Sequence, residues 1–413
     1  MNAYDILKER GFLAQCNHEA ELRELLGKEN ITFYIGYDPT ADSLTIGHFL
    51  TLMAMGHLQR AGHRPITLMG TGTGMIGDPT DKTDMRRIMS KEEIMYNISC
   101  FKKQISKFIE YDNDKGIMAE NGDWLGVLNY IDFLREYGVH FSINRMLSAE
   151  SYKTRLETGL TLFEFNYMVM QAYDYLQLYK KYNCRLQIGG DDQWSNILAG
   201  TELIRKVENI QVYALTIALL TNSEGGKMGK TVSGAVWLDP KKTTPYDLFQ
   251  YFRNVADSDV IRYLKLLTFL PMDEIRKMET WTGSELNRAK EILAYEITNI
   301  LHGKNEANSA KSAASAAFGA GSDLEGTPTT DISLSDLPIN PIELLRKCNL
   351  AANNSEIRRL IDQGGLKINE QKITSLDARV NESDFKDGYI LIQKGKKVFH
   401  RGRLVPRNDK RKP

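Results

Sequence analysis

The residues with the clearest chemical potential lie in two loops far apart in the chain. The first runs Tyr34-Ile-Gly36-Tyr-Asp38-Pro-Thr40-Ala-Asp-Ser43-Leu-Thr45-Ile-Gly47-His48. A strand ends here, the chain turns, and a helix is expected to begin near Ser43, a residue type favoured at N-caps. A helix N-terminus presents unpaired N–H groups and partial positive charge, which suits the oxygens of a triphosphate. Gly47 takes a side chain off the first turn, so a flat ring can approach the backbone, while Thr40 and His48 add donors. The second loop, Thr221-Asn-Ser-Glu-Gly225-Gly-Lys227-Met-Gly229-Lys230-Thr231, sets two lysines among glycines. Lysine ammonium groups act as movable point charges on phosphate. Taken singly, the first segment also reads as an ordinary capped helix and the second as a solvated hairpin turn.

The elements that must hold these loops are legible from periodicity. Ile31–Tyr37, Pro65–Met69, Arg185–Gly189 and Val212–Leu220 read as strands, and Leu44–Ala61 has helical periodicity. Ser90 to about Tyr182 is mostly helical, and helices resume after Pro245 as far as His302. Strand–loop–helix–strand alternation predicts a parallel sheet flanked by helices, with ligands beyond the carboxyl ends of the strands. Tyr167, Gln171 and Asp174 share one helical face, a spacing that by itself suits a core or interface stripe as well as a site. Gly303–Asp336 is rich in Ala, Ser, Gly and Thr and reads as a linker, although Ser309–Phe318 can extend a helix.

Composition bounds the class. A chain of 413 residues suggests two or three domains, and 42% hydrophobic with 26% charged residues fits a globular protein with a sizeable core. With 53 basic and 53 acidic residues the net charge is silent about nucleic acid, so only local clusters speak to it. Cys16, Cys100, Cys184 and Cys348 are too scattered for a zinc site or a disulfide framework, and no protein metal ligand set is evident. The N-terminus lacks a signal or transit pattern and no apolar run approaches a membrane span, so a cytoplasmic location with no membrane partner is expected.

Together the two loops resemble the paired "HIGH" and "KMSKS" signatures of class I aminoacyl-tRNA synthetases, with Thr45 where the first histidine is expected and KMGKT as the second motif. Gly74-Met-Ile-Gly-Asp78-Pro, Phe163-Glu-Phe-Asn-Tyr167-Met-Val-Met-Gln171-Ala-Tyr-Asp174 and Leu186-Gln187-Ile-Gly-Gly-Asp-Asp192-Gln193-Trp194 follow in the order of the bacterial-type tyrosyl enzymes. The resemblance covers essentially the whole chain. It implies an α/β protein: a Rossmann-like parallel-sheet catalytic domain over 1–220 with a helical dimerisation insertion at about 123–155, and the KMSKS-type loop with a helical anticodon-side domain over 221–302. A linker over 303–336 and a small α+β RNA-binding module with a basic tail over 337–413 complete it.

The implied reaction is attack of the L-tyrosine carboxylate on ATP, giving tyrosyl-adenylate and pyrophosphate, followed by transfer to the terminal adenosine of the tRNA for tyrosine. An anionic nucleophile needs no general base, so positioning and charge neutralisation carry the step. By resemblance Thr40 and Thr45 meet the γ-phosphate beside His48, Lys82 and Arg86 follow Asp78-Pro79, and Lys227 and Lys230 close from the other side. Gly36, Asp38, Gly47, His48, Asp192 and Lys230 are assigned to ATP, with Asp192 on the ribose hydroxyls. Tyr34 and Asp174 are aimed at the substrate phenol, Asp78, Tyr167 and Gln171 surround its ammonium, and Gln187 and Gln193 line the tyrosine side. ATP is a substrate, Mg2+ accompanies it without a dedicated protein site, and a homodimer is implied through apolar material that includes Trp124, Leu125, Tyr130, Phe133 and Leu134. Arg346-Lys, Arg358-Arg359 to Asn369 and Gly388-Tyr-Ile-Leu-Ile resemble an RNA-binding module shared with a ribosomal small-subunit protein and some pseudouridine synthases. Arg358, Arg359 and Lys367 are expected on phosphates, aided by a tail of Arg401, Arg403, Arg407, Lys410, Arg411 and Lys412. A nucleotidyltransferase acting on a small metabolite and an inactive relative that only binds RNA remain open alternatives.

Overall fold

The computed structural model describes residues 2–80, 87–223, 225–226, 228–231, 234–318, 327–351, 353–395 and 398–406. The chain divides into two compact units, the first made of Met1–Lys230, Ala235–Asp239 and Ile261–Glu279, the second of Thr231–Gly234, Pro240–Val260 and Thr280–Pro413.

The first unit is built on a sheet of β1 (Leu13–Cys16), β2 (Thr32–Tyr37), β3 (Arg64–Met69), β4 (Ile117–Glu120), β5 (Cys184–Gly190) and β6 (Tyr213–Ile217), in the order β1-β6-β5-β2-β3-β4. The four expected strands are the four central ones, and they pair in parallel. The edges go beyond what periodicity predicts: β4 joins β3 in parallel and β1 joins β6 antiparallel. Both edge strands have only four residues, too short for a periodicity to show. After β2 the chain steps to β3 and β4 on one side, and β5 and β6 lie on the other. This reversal opens a crevice at the carboxyl ends of β2 and β5, where ligands of such sheets bind.

Two helices aim at that crevice. The helix after β2 spans Ile46–Arg60 and is buried on nearly every side, so its apolar residues do not reveal a single face. Ser43 is not its N-cap, contrary to expectation; the cap is Thr45. The Ser43 hydroxyl bonds instead to the Leu44 carbonyl at 2.9 Å and accepts the Asp239 N–H at 3.2 Å. Helix onset is set by distant backbone, because Ile46 N–H donates to the Val236 carbonyl at 3.0 Å and Leu238 N–H to Leu44 at 2.8 Å. The second helix, Leu162–Tyr182, is fixed at its start by a capping box between Thr161 and Glu164. The Glu164 carboxylate is also buried against Arg155, at 2.9 Å from Nε and 3.0 Å from Nη2. Arg155 also donates to Thr158 Oγ1 and to the Gly159 carbonyl, so the buried pair is well supported.

In the second unit, helices Pro245–Arg253, Ser284–His302 and Lys304–Phe318 pack together. The last of these occupies much of the expected linker. Ala307, Ala310, Ala313 and Ala314 are buried along it; the helical extension expected at Ser309–Phe318 is present and reaches back to Lys304. The linker expectation also fails at Thr329–Ser333, which pairs in parallel with Val398–Val405 at the edge of a five-stranded sheet. That sheet and helices Pro341–Lys347 and Asn354–Asp362 enclose a core of Ile332, Leu344, Ile357, Leu366 and Ile392. Arg401 and Arg403 belong to this sheet rather than to a tail: Arg401 stacks 3.8 Å over the Tyr389 ring and Arg403 pairs with Asp331 at 2.7 Å. Arg407, Lys410, Arg411 and Lys412 lie outside the described residues.

Candidate active site

The crevice holds a cavity of about 280 Å3 between the end of β2, the end of β5, the Ile46–Arg60 N-terminus and the Leu162–Tyr182 helix. Of the expected site residues, Tyr34, Gly36, Asp38, Thr40, Gly47, His48, Asp78, Tyr167, Gln171, Asp174, Gln187, Asp192 and Gln193 all line it. Thr45 does not. Lys82, Arg86 and Lys227 lie outside the described residues, as does the Lys230 side chain.

At the deep end Asp174 is 2% exposed. One carboxylate oxygen accepts from Asn121 Nδ2 at 2.9 Å and the other from Trp124 Nε1 at 2.7 Å. Burial pushes its pKa up to about 7; the two donors oppose that rise and the Asp38 charge adds to it. Beside it the Tyr34 hydroxyl is buried with no partner, as are Gln171 Oε1 and Gln187 Oε1. Three unpartnered buried polar atoms around one cavity are costly in the free protein and mark positions that a ligand satisfies.

The middle of the cavity is a carboxylate network. Tyr167 Oη donates to Asp38 Oδ2 and Thr73 Oγ1 to Asp38 Oδ1, each at 2.7 Å. Burial, then the Asp38 charge, holds the Tyr167 phenol well above its ordinary pKa, so it stays a donor. Asp78 accepts from Thr80 N–H at 2.9 Å and Thr80 Oγ1 at 2.6 Å, and its second oxygen from Gln193 Nε2 at 2.6 Å. Asp38, assigned to ATP by resemblance, thus contacts Tyr167, a residue assigned to tyrosine. Gly70 is required by close approach, since a Cβ there would stand 2.0 Å from Asp38 Oδ1.

The open end is shaped by missing side chains. Gly36 is exposed within an otherwise buried strand and a Cβ there would meet nothing within 4 Å. Gly47 is exposed too, with only Thr45 Oγ1 near its absent Cβ at 3.6 Å. Between them His48 is partly buried and its pKa is lowered by burial to about 4, so the imidazole is neutral. Of the neighbouring carboxylates after β5, Asp191 is structural, accepting from Gln15 Nε2 at 2.8 Å and Thr216 Oγ1 at 2.7 Å, whereas Asp192 lines the cavity.

Asn121, Trp124 and Thr73 are the site residues that sequence reasoning misses. Trp124 reads there as apolar insertion material, yet its indole N–H holds the buried carboxylate. The only signal is indirect: a buried Asp needs donors, and an indole N–H is a donor without acceptor capacity. Among the described residues no group of three or more His, Cys, Asp or Glu could hold a metal ion. Arg358, Arg359 and Lys367 are exposed on the C-terminal module, in a different unit from this cavity. No helix of the described residues is long and apolar enough to cross a membrane.

Residues 26–319 match the family described as tRNA synthetases class I (W and Y), and residues 321–401 match the tyrosine–tRNA ligase SYY-like C-terminal domain. The chain is similar to the tyrosine–tRNA ligase of Clostridium botulinum (strain Loch Maree / Type A3), 58% identical over 401 residues covering 97% of this chain and 98% of that protein. It is also similar to that of Clostridium kluyveri (strain ATCC 8527), 56% identical over 400 residues covering 97% and 98%. Among solved structures, a C-terminally truncated mitochondrial tyrosyl-tRNA synthetase from Aspergillus nidulans superposes with a TM-score of 0.68 at 28% identity, over 75% of this chain and 92% of that one.

Proposed function

The chain belongs to the class I tRNA synthetases of the tryptophan and tyrosine branch, and from that premise we propose how its cavity divides between two substrates. Its activity is the ligation of tyrosine to tRNA. The observation that carries the assignment of substrates within the cavity is the deep end: an unpartnered Tyr34 hydroxyl beside a doubly anchored Asp174. A tyrosine phenol bonds to both, whereas phenylalanine leaves the Tyr34 hydroxyl unpaired and brings no donor to Asp174. A site built around a substrate hydroxyl rejects the analogue that lacks it, for which tyrosine against phenylalanine is itself the reference case.

The substrate ammonium lies against Asp78, Tyr167 and Gln171, with Asp38 orienting Tyr167, and Gln187 and Gln193 close the wall. ATP lies along Gly36 and Gly47, its ribose on Asp192, its base and sugar near His48, its phosphates over the helix N-terminus toward Thr40. The tyrosine carboxylate attacks the α-phosphorus, the bond to pyrophosphate breaks, and the charge on the leaving group is neutralised by Lys82, Arg86, Lys227 and Lys230. No protein group removes a proton in this step. Asp38 and Asp78 are already engaged by donors and form no cation cage, so magnesium enters as part of the ATP substrate.

The tRNA then brings its terminal adenosine to the adenylate while Arg358, Arg359 and Lys367 meet phosphates of its body. The helical segment of the second unit serves as the anticodon side. A homodimer forms through the helical insertion, a reading supported by Val127, Tyr130, Ile131, Val139 and Ile143, apolar side chains all at least 60% exposed there. With four free cysteines the chain suits the reducing cytoplasm. Charging bulk tRNA in parallel with labelled tyrosine, phenylalanine and tryptophan tests the reading: tyrosine alone accumulates as aminoacyl-tRNA, and equal incorporation of either other amino acid refutes the assignment of Tyr34 and Asp174.

A further inference from the structure

Thr45 stands where the resemblance puts a phosphate-binding histidine, yet it does not line the cavity, and its polar atoms turn back on the helix. The Thr45 N–H donates to His48 Nδ1 at 3.1 Å, and Thr45 Oγ1 lies 3.0 Å from the same nitrogen. A nitrogen that already accepts a backbone N–H carries no proton, so the second contact can only be the hydroxyl donating to it. Two donors from one residue therefore converge on Nδ1. The proton of the neutral ring is left on Nε2, which meets no acceptor among the described residues, in a ring that lines the cavity.

The ring plane is held as well. Tyr37 and Phe101 each pack against it with centroids 6.2 Å away. The Thr45 backbone is itself clamped by an antiparallel bridge to Trp237, in the segment that follows the KMGKT loop. A side chain free to swing toward a phosphate would have to give up its contact with Nδ1.

We propose that Thr45 is a positioning residue for ATP: through its hydroxyl and backbone N–H it fixes His48 as the Nε2–H tautomer aimed at the nucleotide, and it does not itself contact the phosphates. The low pKa of His48 agrees with this, since a ring that stays neutral keeps Nδ1 as an acceptor across the working pH range. A threonine suits the task better than a histidine, because its short hydroxyl reaches Nδ1 three residues along the helix while its β-branched stem stays at the cap.

The inference rests on the placement of ATP beside His48, and the experiment separates the two. Thr45→Val keeps the shape and the backbone N–H but deletes the hydroxyl donor, Thr45→Ser restores the hydroxyl, and each is made with and without His48→Ala. Tyrosine-dependent ATP–pyrophosphate exchange is measured against ATP, tyrosine and pyrophosphate concentration. Thr45→Val is expected to lower kcat/KM for ATP about five- to tenfold, the loss of one hydrogen bond, with KM for tyrosine and pyrophosphate unchanged. Thr45→Ser is expected within about twofold of the parent, and Thr45→Val is expected to add nothing once His48→Ala is present. A raised KM for pyrophosphate in Thr45→Val, or a full additional loss on top of His48→Ala, overturns the positioning role in favour of a direct phosphate contact. If His48→Ala alone leaves KM and kcat for ATP unchanged, the placement of ATP fails and the inference fails with it.

Discussion

Replacing Tyr34 by phenylalanine couples stability and specificity in opposite directions. In the free protein Tyr34 is 1% exposed and its hydroxyl has no hydrogen-bond partner. Burying a hydroxyl without compensation costs about 1–3 kcal/mol, so its removal stabilises the ligand-free chain by roughly 1 kcal/mol once the small packing loss is subtracted. The ring still packs on Tyr175 at a centroid distance of 5.2 Å, so no cavity larger than one oxygen is opened. With tyrosine bound, the same substitution deletes one of two contacts to the substrate phenol. That lowers kcat/KM for tyrosine by about 0.5–1.5 kcal/mol, a factor of roughly 2 to 12. Phenylalanine makes no such bond and is slightly better tolerated, so the tyrosine-to-phenylalanine ratio falls by at least the same factor. Denaturant or thermal melts of the ligand-free protein and pyrophosphate exchange with both amino acids read the two effects. A Tyr34→Phe variant less stable than the parent by more than about 1 kcal/mol means that the hydroxyl is already satisfied in the free protein, and an unchanged ratio means that it does not meet the substrate phenol.

Trp124→Phe removes one of the two donors to Asp174, so burial raises that carboxyl further above about 7. Because a phenol donates to the ionised form, kcat/KM for tyrosine rises through an inflection near pH 7 in the parent, and that inflection moves to higher pH in the variant; a fixed or lower inflection contradicts the anchoring role. For stability the sign is opposite: a carboxyl raised above its unfolded value favours the fold fully below about pH 4 and loses that contribution as pH rises through about 7, which melts of the ligand-free chain across this window would show as a decline absent in Asp174→Asn. Glu164→Ala leaves Arg155 buried without its partner and is expected to cost about 3–5 kcal/mol, read by denaturant melts, whereas removal of both charges costs less. Gly229→Ala meets both a φ of +88° and the Ile46 Cγ2 atom 2.3 Å from the new Cβ. We expect a cost of about 1–3 kcal/mol and slowed activation with KM for tyrosine unchanged, measured by single-turnover adenylate formation.

Much of the site is legible because its residues travel in short local patterns. Tyr167, Gln171 and Asp174 lie on one helical face, and Tyr34 to His48 is a single strand–turn–helix passage. What stays hidden depends on partners distant in sequence. Helix onset at Thr45 rather than Ser43 is imposed by backbone bonds to Val236 and Leu238. The anchoring of Asp174 needs Asn121 and Trp124, which only the sheet order brings near. Composition allows the helix at Ser309–Phe318 but not its start at Lys304, and Thr329–Ser333 is a strand because Val398–Val405 offers it an edge. In each case tertiary pairing overrides what local propensity suggests.

This cavity is expected to activate tyrosine with ATP before any tRNA is involved. Tyrosine-dependent ATP–pyrophosphate exchange by the purified full chain, without tRNA, is the decisive measurement. We expect exchange that requires tyrosine, is barely supported by phenylalanine or tryptophan, and collapses in Asp174→Ala. Absence of exchange, or exchange indifferent to the amino acid supplied, would contradict it.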